Sequence, residues 1–176
     1  MKMFYDILKE KSCIFKDKEY IGMKEMVSIL KEKNKTVSTM ESCTGGGIAN
    51  AITNIEGASE ILKFSAVTYS NEFKIKMGVD EKIIEKYTVY SIETANEMSK
   101  SIANYTNSSY GVGVTGQLNR YDPYNKTNEN NIVYISIYDK DSNSFVNKKI
   151  KVSEKSRKDN KEIIINEVIY MLKNLL

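Results

Sequence analysis

The stretch Glu41-Ser42-Cys43-Thr44-Gly45-Gly46-Gly47 decides the fold of this chain. Residues 35–40 (KTVSTM) before it favour a strand, and residues 48–52 (IANAI) after it have the spacing of a helix. A strand, a glycine-rich turn and a helix in this order expose backbone N–H groups at the helix N-terminus, where an anion is favoured. The turn also carries three side chains that can attack a carbonyl or hold a phosphate: Ser42, Cys43 and Thr44. The residue types alone fit an enzyme site and a plain structural turn equally well.

The rest of the chain interleaves helical and strand patterns. Helices are predicted over residues 23–33, 48–54, 71–77, 80–86, 91–105 and 157–175, and strands over 35–40, 64–69, 110–115, 132–138 and 144–152. The last two strands alternate clearly and are joined by a short turn, so they form an antiparallel pair. This order predicts an α/β fold, a three-layer α/β/α sandwich on a mixed sheet. We expect a single domain over residues 22–176, preceded by an N-terminal extension over residues 1–21.

Composition excludes several classes of function. The chain has 176 residues, of which 41% are hydrophobic and 28% charged, as in an ordinary globular protein. Its net charge is +3 and its lysines are scattered, so nothing predicts a nucleic-acid partner. No apolar run approaches the roughly 20 residues that span a bilayer, so no membrane association is expected. The two cysteines are isolated, which favours a reducing, cytoplasmic setting.

The chain contains no histidine. Catalysis by a serine–histidine or cysteine–histidine pair is therefore excluded, and so is a histidine-ligated zinc site. If a hydroxyl group is activated here, the base has to be a lysine, a carboxylate or a tyrosine.

Two further segments carry polar groups at strand ends. Residues 67–74 (VTYSNEFK) run from a strand into a helix, which brings Tyr69, Ser70 and Lys74 near one rim of the sheet. A lysine beside a hydroxyl is an alternative to histidine as general base, although an ordinary surface lysine fits the residue types better. Residues 113–116 (GVTG) end another strand, where ligands of α/β proteins gather. Arg157, at the start of the last helix, can clamp a carboxylate or phosphate, or be a solvated surface charge.

Together these segments resemble the C-terminal domain of the CinA family, the nicotinamide-nucleotide amidase domain. The resemblance covers roughly residues 22–176. Residues 41–46 are the family's ESCTGG block, and Gly57-Ala58-Ser59 followed by residues 67–74 is similar to its G-S-S and VTYSNEAK. Weaker matches follow at residues 77–79 (MGV), residues 89–91 (VYS), Val114-Thr115-Gly116 and Arg157.

The resemblance implies hydrolysis of the carboxamide of nicotinamide mononucleotide, which gives nicotinic acid mononucleotide and ammonia. It implies a serine–lysine mechanism without metal or cofactor. By position, Lys74 is the general base and the nucleophile is Ser42 or Ser59, since both can lie near Lys74. Tyr69 and Thr115 would polarise or orient the amide. The substrate-binding residues implied are Thr44, Gly45, Gly46, Thr115, Gly116 and Arg157, with the Gly45–Gly47 amides and Arg157 taking the phosphate or ribose.

The loop over residues 117–130 departs from the family. After [ST]-G the family continues with A-G-P, a Gly-Gly stretch and P-V-G, whereas this chain reads QLNRYDPY from residue 117 and NNI at residues 130–132. Before Arg157, the family's Gly-Asp is replaced by Lys155-Ser156. Two hypotheses follow. The chain is an amidohydrolase on nicotinamide mononucleotide or a related amide, or it is a catalytically altered or inactive relative that binds nucleotides or regulates.

The resemblance also bears on partners. It implies a small-molecule nucleotide substrate and a homo-oligomer. The family often carries a separate N-terminal domain, to which nothing here is similar, so we expect the stand-alone form. The residues offer no support for a role in DNA uptake.

Overall fold

The computed structural model describes residues 22–119, 122, 123, 125, 129–153 and 156–176. The N-terminal extension expected over residues 1–21, Lys155 and much of the departing loop lie outside the described residues.

The described chain folds into six α-helices, a short 3₁₀ helix and five strands. Helix α1 covers residues 22–32. The other helices are α2 (Gly47–Thr53), the 3₁₀ helix (Ala58–Glu60), α3 (Asn71–Lys76), α4 (Glu81–Tyr87), α5 (Ile92–Thr106) and α6 (Arg157–Leu175). The strands are β1 (Val37–Glu41), β2 (Leu62–Val67), β3 (Tyr110–Gly116), β4 (Ile132–Asp139) and β5 (Ser144–Lys151).

The strands form one mixed sheet in the order β2-β1-β3-β4-β5. Strands β2, β1 and β3 are parallel, and β4 and β5 are antiparallel to their neighbours. The register sets Glu41 opposite both Val67 and Val114, so the carboxyl ends of the three parallel strands meet at one edge of the sheet. The predicted mixed sheet within a single α/β domain is confirmed.

Helices cover both faces of the sheet and make three layers. On one face, α1, α2 and α6 share a buried cluster with the sheet, which includes Met26, Leu30, Ile48, Ile52, Val112, Ile135, Ile137, Ile164, Val168 and Leu172. On the other face, α5 contributes Met98 and Ile102 to a smaller cluster with Met40 and Ala66. Val37 and Met40, which are three residues apart on β1, therefore face opposite layers.

Two glycines allow α5 to lie directly on β3. A Cβ atom at Gly111 would stand 1.9 Å from the carbonyl oxygen of Ser99, and one at Gly113 would stand 2.3 Å from that of Ala95. The Ser99 and Ser136 hydroxyls also hydrogen-bond at 2.9 Å across this contact. The backbone of α5 is thereby held close to the centre of the sheet.

The topology creates a crevice between β1 and β3. The chain leaves β1 towards β2 on one side and leaves β3 towards β4 on the other. Neighbouring parallel strands whose connections diverge in this way leave a crevice at their carboxyl ends, where ligands of open α/β sheets bind. The glycine-rich turn after β1 and the departing loop after β3 both start at this crevice.

Replacing Gly111 with alanine tests the close contact between α5 and β3. Because the added Cβ would meet backbone atoms that cannot move alone, we expect Gly111→Ala to lower the free energy of unfolding by about 3 kcal/mol. The matched control is Gly22→Ala, whose Cβ would meet nothing within 4 Å. Urea denaturation should show a large loss for Gly111→Ala and none for Gly22→Ala, and equal midpoints would contradict this packing.

Candidate active site

A cavity of about 470 Å³ lies in the crevice between β1 and β3. Its wall includes Ser42, Cys43, Tyr69, Asn71, Lys74, Tyr90, Thr115, Gly116, Gln117, Leu118 and Arg157. Residues from five separate segments of the chain thus meet at the carboxyl edge of the parallel strands.

The central contact joins Lys74 and Ser42. The Lys74 side chain is only 2% exposed, and its Nζ donates to Ser42 Oγ at 3.2 Å and to the carbonyl oxygen of Thr68 at 2.8 Å. Ser70 caps α3 by accepting the N–H of Phe73 at 3.3 Å, so Lys74 lies in the first turn of a helix that begins at the rim. The expected pairing of a hydroxyl with a lysine is present in the structure.

Backbone hydrogen bonds hold Ser42 and also Thr68, whose carbonyl oxygen Lys74 contacts. The N–H of Ser42 donates to the carbonyl of Val114 at 3.0 Å, and the N–H of Thr68 donates to the carbonyl of Glu41 at 2.8 Å. These bonds tie the ends of all three parallel strands together. The Ser42–Lys74 geometry therefore depends on the sheet rather than on a flexible loop.

Burial lowers the pKa of Lys74 from 10.5 to about 8, because a charged ammonium group is poorly solvated inside the protein. A pKa near 8 leaves about one tenth of the amines neutral at pH 7. A neutral amine can accept the proton of Ser42, whereas an ammonium group cannot.

Cys43 is unsuited to be the nucleophile even though it lines the cavity. Its side chain is buried, and burial raises the pKa of the thiol to about 12. The thiolate is the reactive form of cysteine, so a thiol with this pKa is inert at neutral pH. Ser42 is the hydroxyl that the structure brings to Lys74.

Ser59 lies far from this pair. It is exposed, in the 3₁₀ helix that precedes β2, whereas Ser42 follows β1. Because β1 and β2 are parallel, the two serines lie at opposite ends of strands that are roughly 17–20 Å long. The neighbouring Glu60 pairs with Lys31 at 2.8 Å, near the end of α1. The expectation that both serines can lie near Lys74 is corrected for Ser59.

The glycine-rich turn does not provide the expected anion cradle. The carboxylate of Glu41, which is fully buried, accepts the N–H of Ile48 at 3.1 Å and that of Ala49 at 2.9 Å. The N–H of Gly45 bonds to Ser42 and that of Gly47 to Thr44 within the turn itself. The protein's own carboxylate thus takes the place at the start of α2 that an anionic ligand was expected to take.

Thr44, Gly45 and Gly46 line a different depression. They border a groove of about 610 Å³ between α2 and α6, together with Lys158 and Lys161. Their expected role in binding the substrate beside Lys74 is therefore not supported by their placement, since none of them lines the cavity that holds Ser42.

The other expected residues do lie at the cavity. Arg157 reaches across its mouth, where Nη1 donates to the carbonyl of Leu118 at 2.6 Å and Nη2 donates to the Tyr69 hydroxyl at 3.1 Å. Tyr69 is 66% exposed and forms part of the rim. Thr115 and Gly116 line the wall, but the Thr115 hydroxyl donates to the carbonyl of Val89 at 2.7 Å. In this arrangement the Thr115 hydroxyl fixes the wall rather than pointing its proton at a ligand.

A polar network that the sequence did not reveal forms another wall. The Tyr90 hydroxyl donates to Asp122 at 2.6 Å, Asn125 donates to the same carboxylate at 2.8 Å, and Asn71 donates to Asn125 at 3.3 Å. Burial and the bond to Asp122 raise the pKa of Tyr90 above its ordinary value, so its phenol stays protonated. Asp122 and Asn125 come from the loop that departs from the family, and no periodicity there marks them as lining residues.

Among the residues described, no group of three or more aspartate, glutamate or cysteine side chains is arranged to hold a metal ion. No helix in the same part of the chain is long and apolar enough to cross a bilayer.

The buried amine makes a prediction about stability. Below about pH 8 Lys74 is protonated in both folded and unfolded chains, so the folded state carries the whole cost of burying the charge. Between about pH 8 and 10.5 the folded protein loses this proton first, and the cost falls as the pH rises. Lys74→Met removes the charge at every pH. We expect the stability of the wild type relative to Lys74→Met to improve by about 2 kcal/mol between about pH 7 and about pH 9.5.

Urea denaturation of both proteins at the two pH values measures this difference. All other titrating groups are present in both proteins, so their contributions cancel in the difference between the two unfolding free energies. A difference in unfolding free energy that does not change with pH would contradict the lowered pKa of Lys74.

Comparison with proteins of known sequence identifies several relatives. A CinA-like protein of Endomicrobium trichonymphae is 48% identical over 89 residues, which is 50% of this chain and 21% of the relative. A putative competence-damage inducible protein of Clostridium botulinum (strain Okra / Type B1) is 37% identical over 144 residues, which is 80% of this chain and 33% of the relative. The matched part thus spans one third or less of these curated relatives.

Solved structures of other proteins share the fold of this chain. The competence/damage inducible protein CihA of Agrobacterium tumefaciens superposes with a TM-score of 0.81 at 24% identity, over 89% of this chain and 94% of the other. A competence or damage-inducible protein of Enterobacter asburiae gives a TM-score of 0.82 at 21% identity, over 89% and 97% of the two chains. At these identities the likeness establishes the fold alone. The model of the CinA C-terminal domain matches residues 21–176, and the chain therefore belongs to the CinA C-terminal domain family.

Proposed function

We propose that the protein is an amidohydrolase that cleaves a primary carboxamide with Ser42 as nucleophile and Lys74 as general base. The observation that carries this proposal is the 3.2 Å contact between Ser42 Oγ and the Nζ of a buried lysine. A lysine whose pKa is lowered by burial and which touches a hydroxyl is a recognised substitute for histidine. Membership of the CinA family favours nicotinamide mononucleotide as the substrate, with nicotinic acid mononucleotide and ammonia as products.

The proposed reaction has two halves. Neutral Lys74 takes the proton of Ser42 as the serine oxygen attacks the carboxamide carbon, and the C–N bond then breaks as Lys74 returns the proton to the leaving nitrogen. Ammonia leaves and an ester with Ser42 remains. Lys74, neutral again, takes a proton from water as the water oxygen attacks the ester carbon. The C–O bond to Ser42 then breaks as Lys74 returns the proton to Ser42 Oγ, which releases the acid and the free serine. The carbonyl of Thr68 holds Nζ in place through both halves.

The cavity suits a ligand of nucleotide size. Its volume of about 470 Å³ lies within the usual range of small-molecule sites. Arg157 stands at the mouth with its guanidinium group oriented by Leu118 and Tyr69. A guanidinium group has five N–H donors, so Arg157 can also bind a phosphate or ribose hydroxyl at the entrance. Thr115 and Gly116 form part of the cavity wall.

A second candidate is a relative that binds a nucleotide without hydrolysing it. The rewritten wall favours it, since bulky Leu118 is only 2% exposed and lines the cavity where the family has glycine. Side chains there change the shape available to a ligand. Binding of nicotinamide mononucleotide in calorimetry with no ammonia released at any pH would support this candidate over the amidase.

Ammonia release from nicotinamide mononucleotide tests the proposed function. We expect the purified protein to release ammonia, and Ser42→Ala and Lys74→Ala each to lower kcat/KM by at least about 100-fold. Ser59→Ala is the matched control, since it removes the same group from an exposed site outside the cavity, and its activity should be unchanged. Lys74→Met, which fills the volume of the lysine, guards against loss of folding. Loss of activity in Ser59→Ala with activity retained in Ser42→Ala would contradict the assignment.

The pH profile tests the role of Lys74 separately. Since the base has to be neutral in the free enzyme, kcat/KM should rise about tenfold per pH unit below about pH 8 and level off above it. Initial rates at low substrate concentration between about pH 6 and about pH 9.5 measure this. A rate that is flat or falls across this range would exclude Lys74 as the base.

A further inference from the structure

Gln117 is a buried amide that has no partner among the residues described. Its side chain is 4% exposed, and within that part of the chain neither Nε2 nor Oε1 makes a hydrogen bond. Leaving a buried polar group unpaired is costly, and native structures rarely do so without a reason. A leucine or methionine at this position would avoid the cost, so the presence of an amide requires an explanation outside stability.

The position of Gln117 suggests that explanation. It follows β3 directly and lines the same cavity as Ser42 and Lys74. Its backbone N–H donates to the carbonyl of Ile132 at 3.0 Å, and the next carbonyl, that of Leu118, is held by Arg157. The side chain is therefore carried by a fixed backbone at the crevice. A side chain supported in this way can recognise a ligand with defined geometry.

The chemistry of the amide limits what it recognises. A carboxamide presents two donor hydrogens on Nε2 beside an acceptor on Oε1 in one plane. Its complement is a group with an acceptor and a donor side by side, and a primary carboxamide is such a group. A carboxylate is not, because both of its oxygens are acceptors and one of them would face Oε1.

We propose that Gln117 determines specificity by pairing, amide to amide, with the primary carboxamide of the substrate. This inference rests on the proposed function for the identity of the substrate. Both amide atoms are closed to solvent in the structure, so the side chain has to turn towards the cavity when the ligand binds. Nε2 then donates to the carbonyl oxygen of the substrate, and Oε1 accepts from its NH₂ group. The pairing satisfies both polar atoms of Gln117. It also favours the amide over the acid, so that hydrolysis converts a ligand that fits into a product that does not.

The test is calorimetric titration of the full chain with two probes, nicotinamide mononucleotide and nicotinic acid mononucleotide. The Ser42→Ala background prevents turnover during the titration. In this background, adding Gln117→Leu should lower the preference for the amide over the acid at least about tenfold, the effect of losing one good hydrogen bond or more. Gln117→Met, which keeps an unbranched chain, should do the same. The readout is the change in the ratio of the two affinities, amide to acid, between variants. Arg157 and Lys74 are present in every variant, so their effect on the charges of the probes cancels in this change.

Asn96→Leu is the matched control. Asn96 also has a buried amide oxygen without a partner, but it lies on α5 outside the cavity wall. Asn96→Leu should leave the amide-to-acid ratio unchanged. Gln117→Leu should not lower the Tm, since it removes an unpaired polar group, whereas a purely structural glutamine would lower the Tm and leave the ratio alone.

The outcomes separate this inference from the proposed function. If ammonia is released but the ratio is unchanged in Gln117→Leu, the amide pairing is wrong and the amidase stands. If no ammonia is released but the ratio falls in Gln117→Leu, the pairing is upheld and the amidase reaction fails. Failure of both probes to bind overturns the pairing as well.

Discussion

The buried carboxylate of Glu41 is the interaction on which the site depends. It ends β1 and accepts the first N–H groups of α2, so a strand end and a helix start are joined through one side chain. The turn between them has its position fixed from both sides. Since successive residues of a strand point to opposite faces, Ser42 is directed away from α2 and towards Lys74. The glycine-rich turn therefore positions Ser42 beside Lys74 rather than binding an anion.

The buried amine of Lys74 lowers stability and makes reactivity possible. A charged group that is 2% exposed is disfavoured, and that same burial brings its pKa to about 8. A lysine in solvent would keep its proton at neutral pH and could not accept another from Ser42. The sheet on which this pair rests is close-packed, with α5 held against Gly111 and Gly113.

The sequence predicted local structure well and long-range placement poorly. The bounds of α6 agree at both ends, and each predicted strand lies within two residues of the observed one, because hydrophobic period and capping residues are local signals. The placement of Ser59 could not be read from spacing, because a parallel crossover sends residues before and after a strand to opposite ends of the sheet. The glycine-rich turn was misassigned for a similar reason. Its helix start is satisfied by Glu41, a tertiary contact that composition does not reveal.

The Ser42–Lys74 pair and the wall formed by the departing loop come from different halves of the sheet. Ser42 and Lys74 follow β1 and β2, whereas Gln117, Leu118 and Asp122 belong to the connection between β3 and β4. The bond from Ser42 to Val114 reaches β3 before that connection begins. Changes in the connection therefore alter the shape and polarity of the cavity without moving the pair. In the proposed amidase, a loop with larger side chains in place of glycines would change which amide is accepted, while cleavage would stay with the residues that follow β1 and β2.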